Sequence, residues 1–185
     1  MTCLATARLS LVPCEDKHVD GLHALNADPE VMRYISGRAE TRDETVAMVD
    51  RVKQRWVEFG YSWWSFIDRE TGEIVGAGAL QNLRRAATAA PDPACPLEIG
   101  WRLRRDHWHR GLATEAARAI VGFAFETIRA EELYAVCDPD NLASASVMKR
   151  LGMQDVGLQL WYGKRLATYQ INARQWLEAN RGGSP

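Results

Sequence analysis

The sequence predicts a single α/β (or α+β) domain in which helices flank a mixed, mostly antiparallel central sheet. Three observations lead to this prediction. Apolar residues alternate at strand spacing in several segments, amphipathic helices lie between some of them, and one strand–helix–strand unit has a crossover long enough to join two parallel strands. The 185 residues, 46% of them hydrophobic, suit one domain over residues 1–185. We expect residues 181–185 to form a flexible tail.

The N-terminal segment predicts one strand and two helices. "RLSLVP", residues 8–13, alternates between apolar and polar side chains and stops at a proline, which predicts a first strand. A helical pattern follows over residues 19–25. A second helix opens at Thr41, because Glu44 three residues later completes the sequence pattern of a capping box.

The middle of the chain predicts a hairpin, a loop and a further strand. Residues 61–80 contain two strand patterns joined by a turn at Gly72. Residues 81–96 are rich in alanine and proline and lack periodicity, which predicts a long loop. "LEIGWRL", residues 97–103, then alternates, so that Leu97, Ile99, Trp101 and Leu103 point to one side of the strand.

The C-terminal part predicts helices and strands in turn. A long apolar stripe from Ala116 to Ile128 indicates a helix, and "LYAVCD" after it is typical of a buried strand. Asn141 and Gly152 are suited to begin and end the next helix. "VGLQLWYGKRLATYQI" predicts two strands that turn at Gly163, and "ARQWLEAN" predicts a last short helix.

Composition excludes several classes of partner. The net charge is −1, so the protein as a whole should not be attracted to nucleic acid or to an anionic membrane. There is no secretory signal pattern and no apolar run near the ~20 residues of a membrane span, which predicts a cytoplasmic protein. The four cysteines lack zinc-type spacing, so we expect free thiols and no metal.

One local segment nevertheless suits an anion. "WHRGLATEA", residues 108–116, leads through a glycine into a helix, and a helix N-terminus offers unpaired backbone N–H groups and a positive dipole end. Neighbouring arginines and histidines add positive charge. The segment is not a P-loop, and "GAGALQ" at residues 76–81 fails as a dinucleotide fingerprint. Spacing alone leaves a plain turn and an anion site equally open.

The same segment resembles the acetyl-CoA pyrophosphate loop of the GNAT superfamily of N-acetyltransferases, whose pattern is Q/R-x-x-G-x-G/A. Gly111 and Ala113 match, Trp108 stands at the Gln/Arg position, and His109 replaces a usual glycine. "DPDNLASASVMKRLGM" and residues 7–37 resemble the ribosomal-protein N-terminal (alanine) acetyltransferase branch of this superfamily. The resemblance covers nearly the whole chain in the right order.

This resemblance implies a GNAT-like fold with a splayed parallel strand pair, and it implies which residues bind acetyl-CoA as co-substrate. The backbone of "LEIGWRL" would hold the pantetheine arm at Trp101, Arg102 and Leu103. The amides of the loop and helix start would bind the pyrophosphate, namely His109, Arg110, Gly111, Leu112, Ala113 and Thr114. Asn141 would contact the pantetheine through its amide, although an asparagine there also serves as a plain helix cap.

The implied chemistry is acetyl transfer to a primary amine by direct attack in a ternary complex. It needs a neutral amine, a polarised carbonyl and a proton for the thiolate. Met148 stands where many members of the family have a tyrosine acid. Ser144 matches the serine that the ribosomal branch uses instead, or it is an ordinary first-turn hydroxyl. Glu98 stands on the strand of the family's carboxylate base, or it is a carboxylate on a wet face.

The acceptor is less defined by sequence. Tyr34 and Trp161 fall in segments that line the acceptor side in relatives, and the acceptor would be a peptide or protein N-terminus or a small-molecule amine. Cys137, on a buried strand, is not expected to carry an acyl group. A non-catalytic acyl-CoA sensor of the same fold is the alternative. Nucleic-acid binding through "RLRRDHWHR" is disfavoured by the net charge, and a homodimer is open because relatives often dimerise.

Overall fold

The structure of the protein, a computed structural model, describes residues 1–87 and 92–180. The expected flexible tail, residues 181–185, lies outside the described residues, as does part of the expected loop. Strands and helices are labelled in chain order. The strands are β1 (Leu4–Ala5), β2 (Leu9–Pro13), β3 (Trp63–Asp68), β4 (Ile74–Asn82), β5 (Leu97–Leu103), β6 (Glu132–Cys137), β7 (Gln154–Trp161) and β8 (Lys164–Asn172). The α-helices are α1 (Val19–Asn26), α2 (Pro29–Met32), α3 (Arg42–Phe59), α4 (Leu112–Glu126), α5 (Leu142–Arg150) and α6 (Ala173–Asn180).

The strands form a mixed sheet in the order β1-β2-β3-β4-β5-β6-β8-β7. β5 and β6 run parallel with Glu98 opposite Tyr134, and the long connection through α4 makes this pairing possible. The pairs β1–β2, β2–β3, β3–β4, β6–β8 and β7–β8 are antiparallel. The predicted class, a mixed and mostly antiparallel sheet with helices and one parallel pair, is therefore confirmed.

The chain divides into two compact units. The first comprises residues 1–80 and 101–119. Its core contains α1 and α3 packed against the sheet, with Leu22, Val49 and Ala77 fully or almost fully buried. α3 begins at the predicted capping box, where Thr41 accepts from the Glu44 N–H and the Glu44 side chain accepts from the Thr41 N–H.

Within this unit, Gly76 on β4 allows a close approach of backbone. A Cβ atom at this position would lie 2.7 Å from the carbonyl oxygen of Arg102 and 2.5 Å from Cδ2 of Leu103. Any side chain there would displace β5 at the residues predicted to hold the pantetheine arm. Glycine is required by space and not by backbone conformation, since Gly76 has no positive φ.

The second unit comprises the described residues of the ranges 81–100 and 120–180. Its predicted hairpin of β7 and β8 turns at Tyr162 and Gly163, with φ angles of 54° and 72°. The Tyr162 N–H donates to the Arg84 carbonyl at 2.7 Å, and the Gly163 N–H donates to the Arg85 carbonyl at 2.9 Å. These bonds fix the hairpin turn against the segment that follows β4.

Candidate active site

A buried carboxylate with two side-chain donors is the main feature of the second unit. Glu98 on β5 is 6% exposed. Its Oε1 accepts a hydrogen bond from Nε2 of Gln81 at 2.8 Å and a short one from the phenol of Tyr162. The Gln81 amide also lies 3.2 Å from the Tyr162 oxygen, so the three polar groups contact one another.

The electrostatics of this cluster favour a carboxyl that titrates near neutrality. Burial raises the pKa of Glu98 to about 7, while the hydrogen bonds from Gln81 and Tyr162 and the charge of Arg84 limit the rise. Burial, followed by the nearby Glu98 charge, raises the pKa of Tyr162. The phenol therefore keeps its proton and donates to the carboxylate.

This geometry corrects one expectation and adds two residues to the site. The alternative that Glu98 is a strand carboxylate on a wet face is wrong, because Gln81 and Tyr162 cover it. The partners themselves were not predicted as site residues: Gln81 ends the segment that fails as a dinucleotide fingerprint, and Tyr162 lies in the segment predicted to turn at Gly163. The contact between Tyr162 and Glu98 joins positions 64 residues apart, which no local pattern reveals.

The expected pyrophosphate loop lies in the first unit, immediately before α4. His109 and Gly111 both have left-handed backbone, with φ angles of 59° and 77°. The first helical hydrogen bond of α4 runs from the Glu115 N–H to the Gly111 carbonyl at 3.1 Å. The loop therefore leads directly into the first turn of α4, and the N–H groups of a first helical turn are the groups that bind anions at helix N-termini.

Two side chains fix the shape of this loop. The indole N–H of Trp108 donates to the Leu103 carbonyl at 2.9 Å, which ties the loop to the end of β5. Arg8 forms an ion pair of 2.6 Å with Glu115, in the first turn of α4, and donates to the Arg110 carbonyl at 2.9 Å. Burial alone would raise the pKa of Glu115, but the hydrogen bonds from Thr6 and Arg8 outweigh it and lower this pKa.

The residues predicted for the pantetheine arm lie on β5, in the first unit. Trp101 is half-buried, whereas Arg102 and Leu103 are buried at 7% and 6% exposure. The Leu103 carbonyl already accepts the Trp108 indole, so the strand and the loop are joined within the first unit. Together they present a fixed backbone with the glycine and helix start that a pyrophosphate needs.

The predicted helix after β6 carries Asn141 and Ser144. Asn141 is the N-cap of α5, and its side-chain oxygen accepts from the Ser144 N–H at 3.1 Å. The Ser144 side chain is half-buried, and no hydrogen bond from its hydroxyl is found among the described residues. Met148, at the position of the family's usual tyrosine acid, is 1% exposed and belongs to the core.

The two residues predicted for the acceptor lie in different surroundings. Tyr34 follows α2 in the first unit, and the Arg33 guanidinium lies 5.2 Å from its ring centroid. Trp161 ends β7 in the second unit at 3% exposure, packed with Leu83 and Cys95 and covered by the Arg85 guanidinium at 4.2 Å.

The structure thus groups the predicted residues by unit. The first unit holds the loop, the helix start and the backbone from Trp101 to Leu103; the second holds Glu98, Asn141 and Ser144. Burial raises the pKa of the Cys137 thiol to about 11, so it is protonated near neutral pH. In the part of the chain that is described, no cluster of three metal-type ligands occurs, and no helix is long and apolar enough to cross a membrane.

Comparison with known proteins agrees with this geometry. The family model described as "Acetyltransferase (GNAT) domain" matches residues 8–154. The Bacillus subtilis protein YkkB is 32% identical over 171 residues, covering 91% of this chain and 95% of that protein. The FsC-acetyl coenzyme A-N(2)-transacetylase of Aspergillus fumigatus is 32% identical over 162 residues, covering 83% of this chain and 65% of that protein. The ribosomal L7/L12 α-N-protein acetyltransferase RimL, solved with coenzyme A, superposes with a TM-score of 0.74 at 16% identity, covering 92% of this chain and 98% of RimL.

Proposed function

We propose how this chain, which belongs to the GNAT acetyltransferase family and transfers acetyl groups from acetyl-CoA to an amine, carries out the transfer. The amine attacks the thioester of acetyl-CoA directly, in a ternary complex, with Glu98 as the general base. The observation that carries this proposal is the environment of Glu98. A carboxyl buried beside a phenol and an amide, with a pKa of about 7, is divided between its two protonation states at neutral pH. A general base works best when its pKa lies near the working pH.

The pKa of the acceptor amine determines how strongly the reaction depends on Glu98 as a base. An α-amino group, with a pKa near ~8, is partly neutral at pH 7, whereas an alkylamine near ~10.4 is almost wholly protonated. Ionised Glu98 would accept the proton that the amine loses, directly or through water. For a peptide N-terminus Glu98 orients the amine as much as it deprotonates it, and for an alkylamine it is essential.

The remaining steps are assigned to the residues that the family resemblance implies. The amides from His109 to Thr114 would hold the pyrophosphate, because a left-handed Gly111 and a helix start direct N–H groups to one point. The β5 backbone from Trp101 to Leu103 and the Asn141 amide would hold the pantetheine arm. The Ser144 hydroxyl would supply the proton of the departing thiolate when the carbon–sulfur bond breaks.

We further propose that the acceptor is a peptide or protein N-terminus or a small primary amine, with Tyr34 and Trp161 on its side of the site. One relative supports this range by its printed name, and a second bears only on the fold. FsC transacetylase is by its name an N(2)-acetylating enzyme, and RimL is by its name an α-N-protein acetyltransferase. RimL, at 16% identity, contributes likeness of fold alone.

The proposal is tested with the purified full chain, acetyl-CoA and a panel of peptides, amino acid amides and alkylamines, by following release of free thiol. We expect amine-dependent thiol release that falls at least about 100-fold in Glu98→Gln, the size typical for loss of a general base. The matched control is Glu132→Gln, since Glu132 also accepts from a glutamine amide, that of Gln170. Tight CoA binding without amine-stimulated thiol release would favour the acyl-CoA sensor instead.

A further inference from the structure

A buried guanidinium lies in the first unit with only weak partners. Arg102 is 7% exposed and projects from β5 on the side opposite to Leu103. Its guanidinium carbon lies 4.9 Å from the ring centroid of Trp63, and Nη1 lies 4.0 Å from the sulfur of Met32. An indole face and a thioether attract a cation, but they do not saturate its hydrogen-bond donors.

Two of those donors are unpaired. Nε and Nη2 of Arg102 are buried and have no hydrogen-bond partner within residues 1–87 and 92–180. Leaving charged donors buried and unsatisfied is unfavourable, and native proteins rarely keep such groups without a reason. The two atoms also belong together, because Nε and Nη2 form one edge of the planar guanidinium. That edge matches the two oxygens of a carboxylate in a bidentate pair.

The surrounding residues do not supply this acid. The groups whose negative charge would favour the Arg102 cation are Glu40 and, when it is ionised, the Cys14 thiol. Burial raises the pKa of Cys14 to about 11, so the thiol is neutral near pH 7. Glu40 is held by its backbone, whose N–H donates to the Asn26 carbonyl at 2.8 Å, and it forms no ion pair with Arg102 in the described residues. Arg102 remains a cation, because a guanidinium is not deprotonated in proteins.

We propose that the Nε–Nη2 edge of Arg102 is a binding site for a carboxylate group. Two donors between an indole and a thioether suit a planar monoanion, whereas a phosphate would bring more oxygens than the edge can satisfy. The carboxylate comes either from a free acid or from the acceptor itself. In the second case the inference rests on the proposed function, and it narrows the acceptor to amines that carry a carboxylate.

The first experiment measures binding alone. Thermal unfolding of the full chain is followed in sodium acetate and in sodium propionate, against sodium chloride at the same pH and ionic strength. We expect a saturable rise in Tm that is absent in Arg102→Met, a variant that keeps an apolar stem and removes a buried charge and so is expected to fold. Arg42→Met is the matched control, because this exposed arginine is ion-paired with Asp20, and it should keep the response.

A second variant leaves Arg102 intact. Glu40→Gln removes the negative charge that competes with a bound anion. The acetate concentration that gives half of the maximal rise in Tm should therefore fall at least about twofold. A wild-type Tm that does not respond to acetate or propionate overturns the proposal, as does an equal response in the wild type and Arg102→Met. If the acetate concentration for half of the maximal rise in Tm is unchanged in Glu40→Gln, the carboxylate does not bind at the Nε–Nη2 edge of Arg102.

The second experiment decides whether the bound carboxylate belongs to a free acid or to the acceptor amine. Thiol release is measured with alanine and with alaninamide, in the wild type and in Arg102→Met, and the ratio of the two kcat/KM values is compared. If the acceptor carries the carboxylate, this ratio should fall about tenfold or more in the variant, as expected for a lost charge-assisted pair. An equal ratio with an intact acetate response assigns the site to a free acid. Absence of turnover with every amine overturns the proposed function, while the thermal experiment still decides this inference.

Discussion

The phenol of Tyr162, in the turn between β7 and β8, donates a hydrogen bond to the carboxylate of Glu98 on β5. The turn is fixed by its own backbone, since the Tyr162 N–H donates to the Arg84 carbonyl at 2.7 Å. Tyr162 therefore reaches Glu98 from a rigid position and not from a mobile loop end. A donor placed in this way stabilises the ionised carboxylate and limits the rise in pKa that burial causes.

We predict that Tyr162→Phe shifts the acidic limb of the pH profile of kcat/KM to higher pH. Removing a donor to the charged form raises the pKa of Glu98 further, so activity near pH 7 should fall about tenfold and recover in alkali. Tyr169→Phe is the control, because burial and Asp155 raise the pKa of this tyrosine too, without contact to Glu98. A uniform fall at all pH values would contradict the effect of Tyr162 on the pKa of Glu98.

The same carboxyl should make the fold less stable as pH rises. The pKa of Glu98 is raised from 4.5 to about 7 in the folded state, so between these values the folded protein binds more protons than the unfolded one. The contribution of this group to the free energy of unfolding is fully present below pH 4.5 and is lost as the pH rises through 7. The loss is on the order of 3 kcal/mol. Urea unfolding of Glu98→Gln should therefore show a gain over the wild type at pH 8 that shrinks at pH 5. An equal difference at both pH values would contradict the raised pKa.

Most of the fold is predictable from sequence because the signals are local. The capping box at Thr41, the cap at Asn141 and the turn at Gly163 each depend on a few neighbouring residues, and the structure confirms all three. The sequence did not predict β1 and α2. They span two and four residues, which is too short for periodicity to show.

The site was predictable only in part, for a different physical reason. The loop before α4 follows from a motif in consecutive residues. The burial of Glu98 and the unsatisfied edge of Arg102 depend on which distant side chains cover them, and strand alternation says only that both lie on the same side of β5. Partners that are distant in sequence, such as Tyr162, set the pKa of Glu98, and no pattern of neighbouring residues around Glu98 reveals them.

We predict that introducing a glycine at position 109 of the loop stabilises the protein, and that removing the glycine at position 111 destabilises it. His109 has a φ of 59°, which strains a residue with a Cβ, so His109→Gly should stabilise the protein by up to about 1 kcal/mol and keep CoA affinity. Gly111→Ala should destabilise the loop and weaken CoA binding about tenfold. The cause is its φ of 77° and not a clash, since the added Cβ would lie 3.6 Å from the Arg8 guanidinium.

Urea unfolding and titration with CoA measure both effects. His109→Ala is the control, because it removes the imidazole and keeps the backbone strain, so it should show no gain in stability. If His109→Gly and His109→Ala lose CoA affinity equally, the ring itself binds the co-substrate. If Gly111→Ala binds CoA as the wild type does, the loop does not hold the pyrophosphate.

The last prediction concerns the proton that the thiolate receives. The Ser144 N–H is used by the Asn141 cap, which leaves its half-buried hydroxyl as the group that can act on a ligand. Ser144→Ala should lower kcat about 10- to 100-fold and leave the affinity for CoA within about twofold, because proton donation matters only in the transition state. The matched control is Ser146→Ala on the same helix, whose hydroxyl donates to the Leu142 carbonyl at 2.8 Å. Wild-type kcat in Ser144→Ala would assign the proton to water and leave Ser144 as an ordinary first-turn residue.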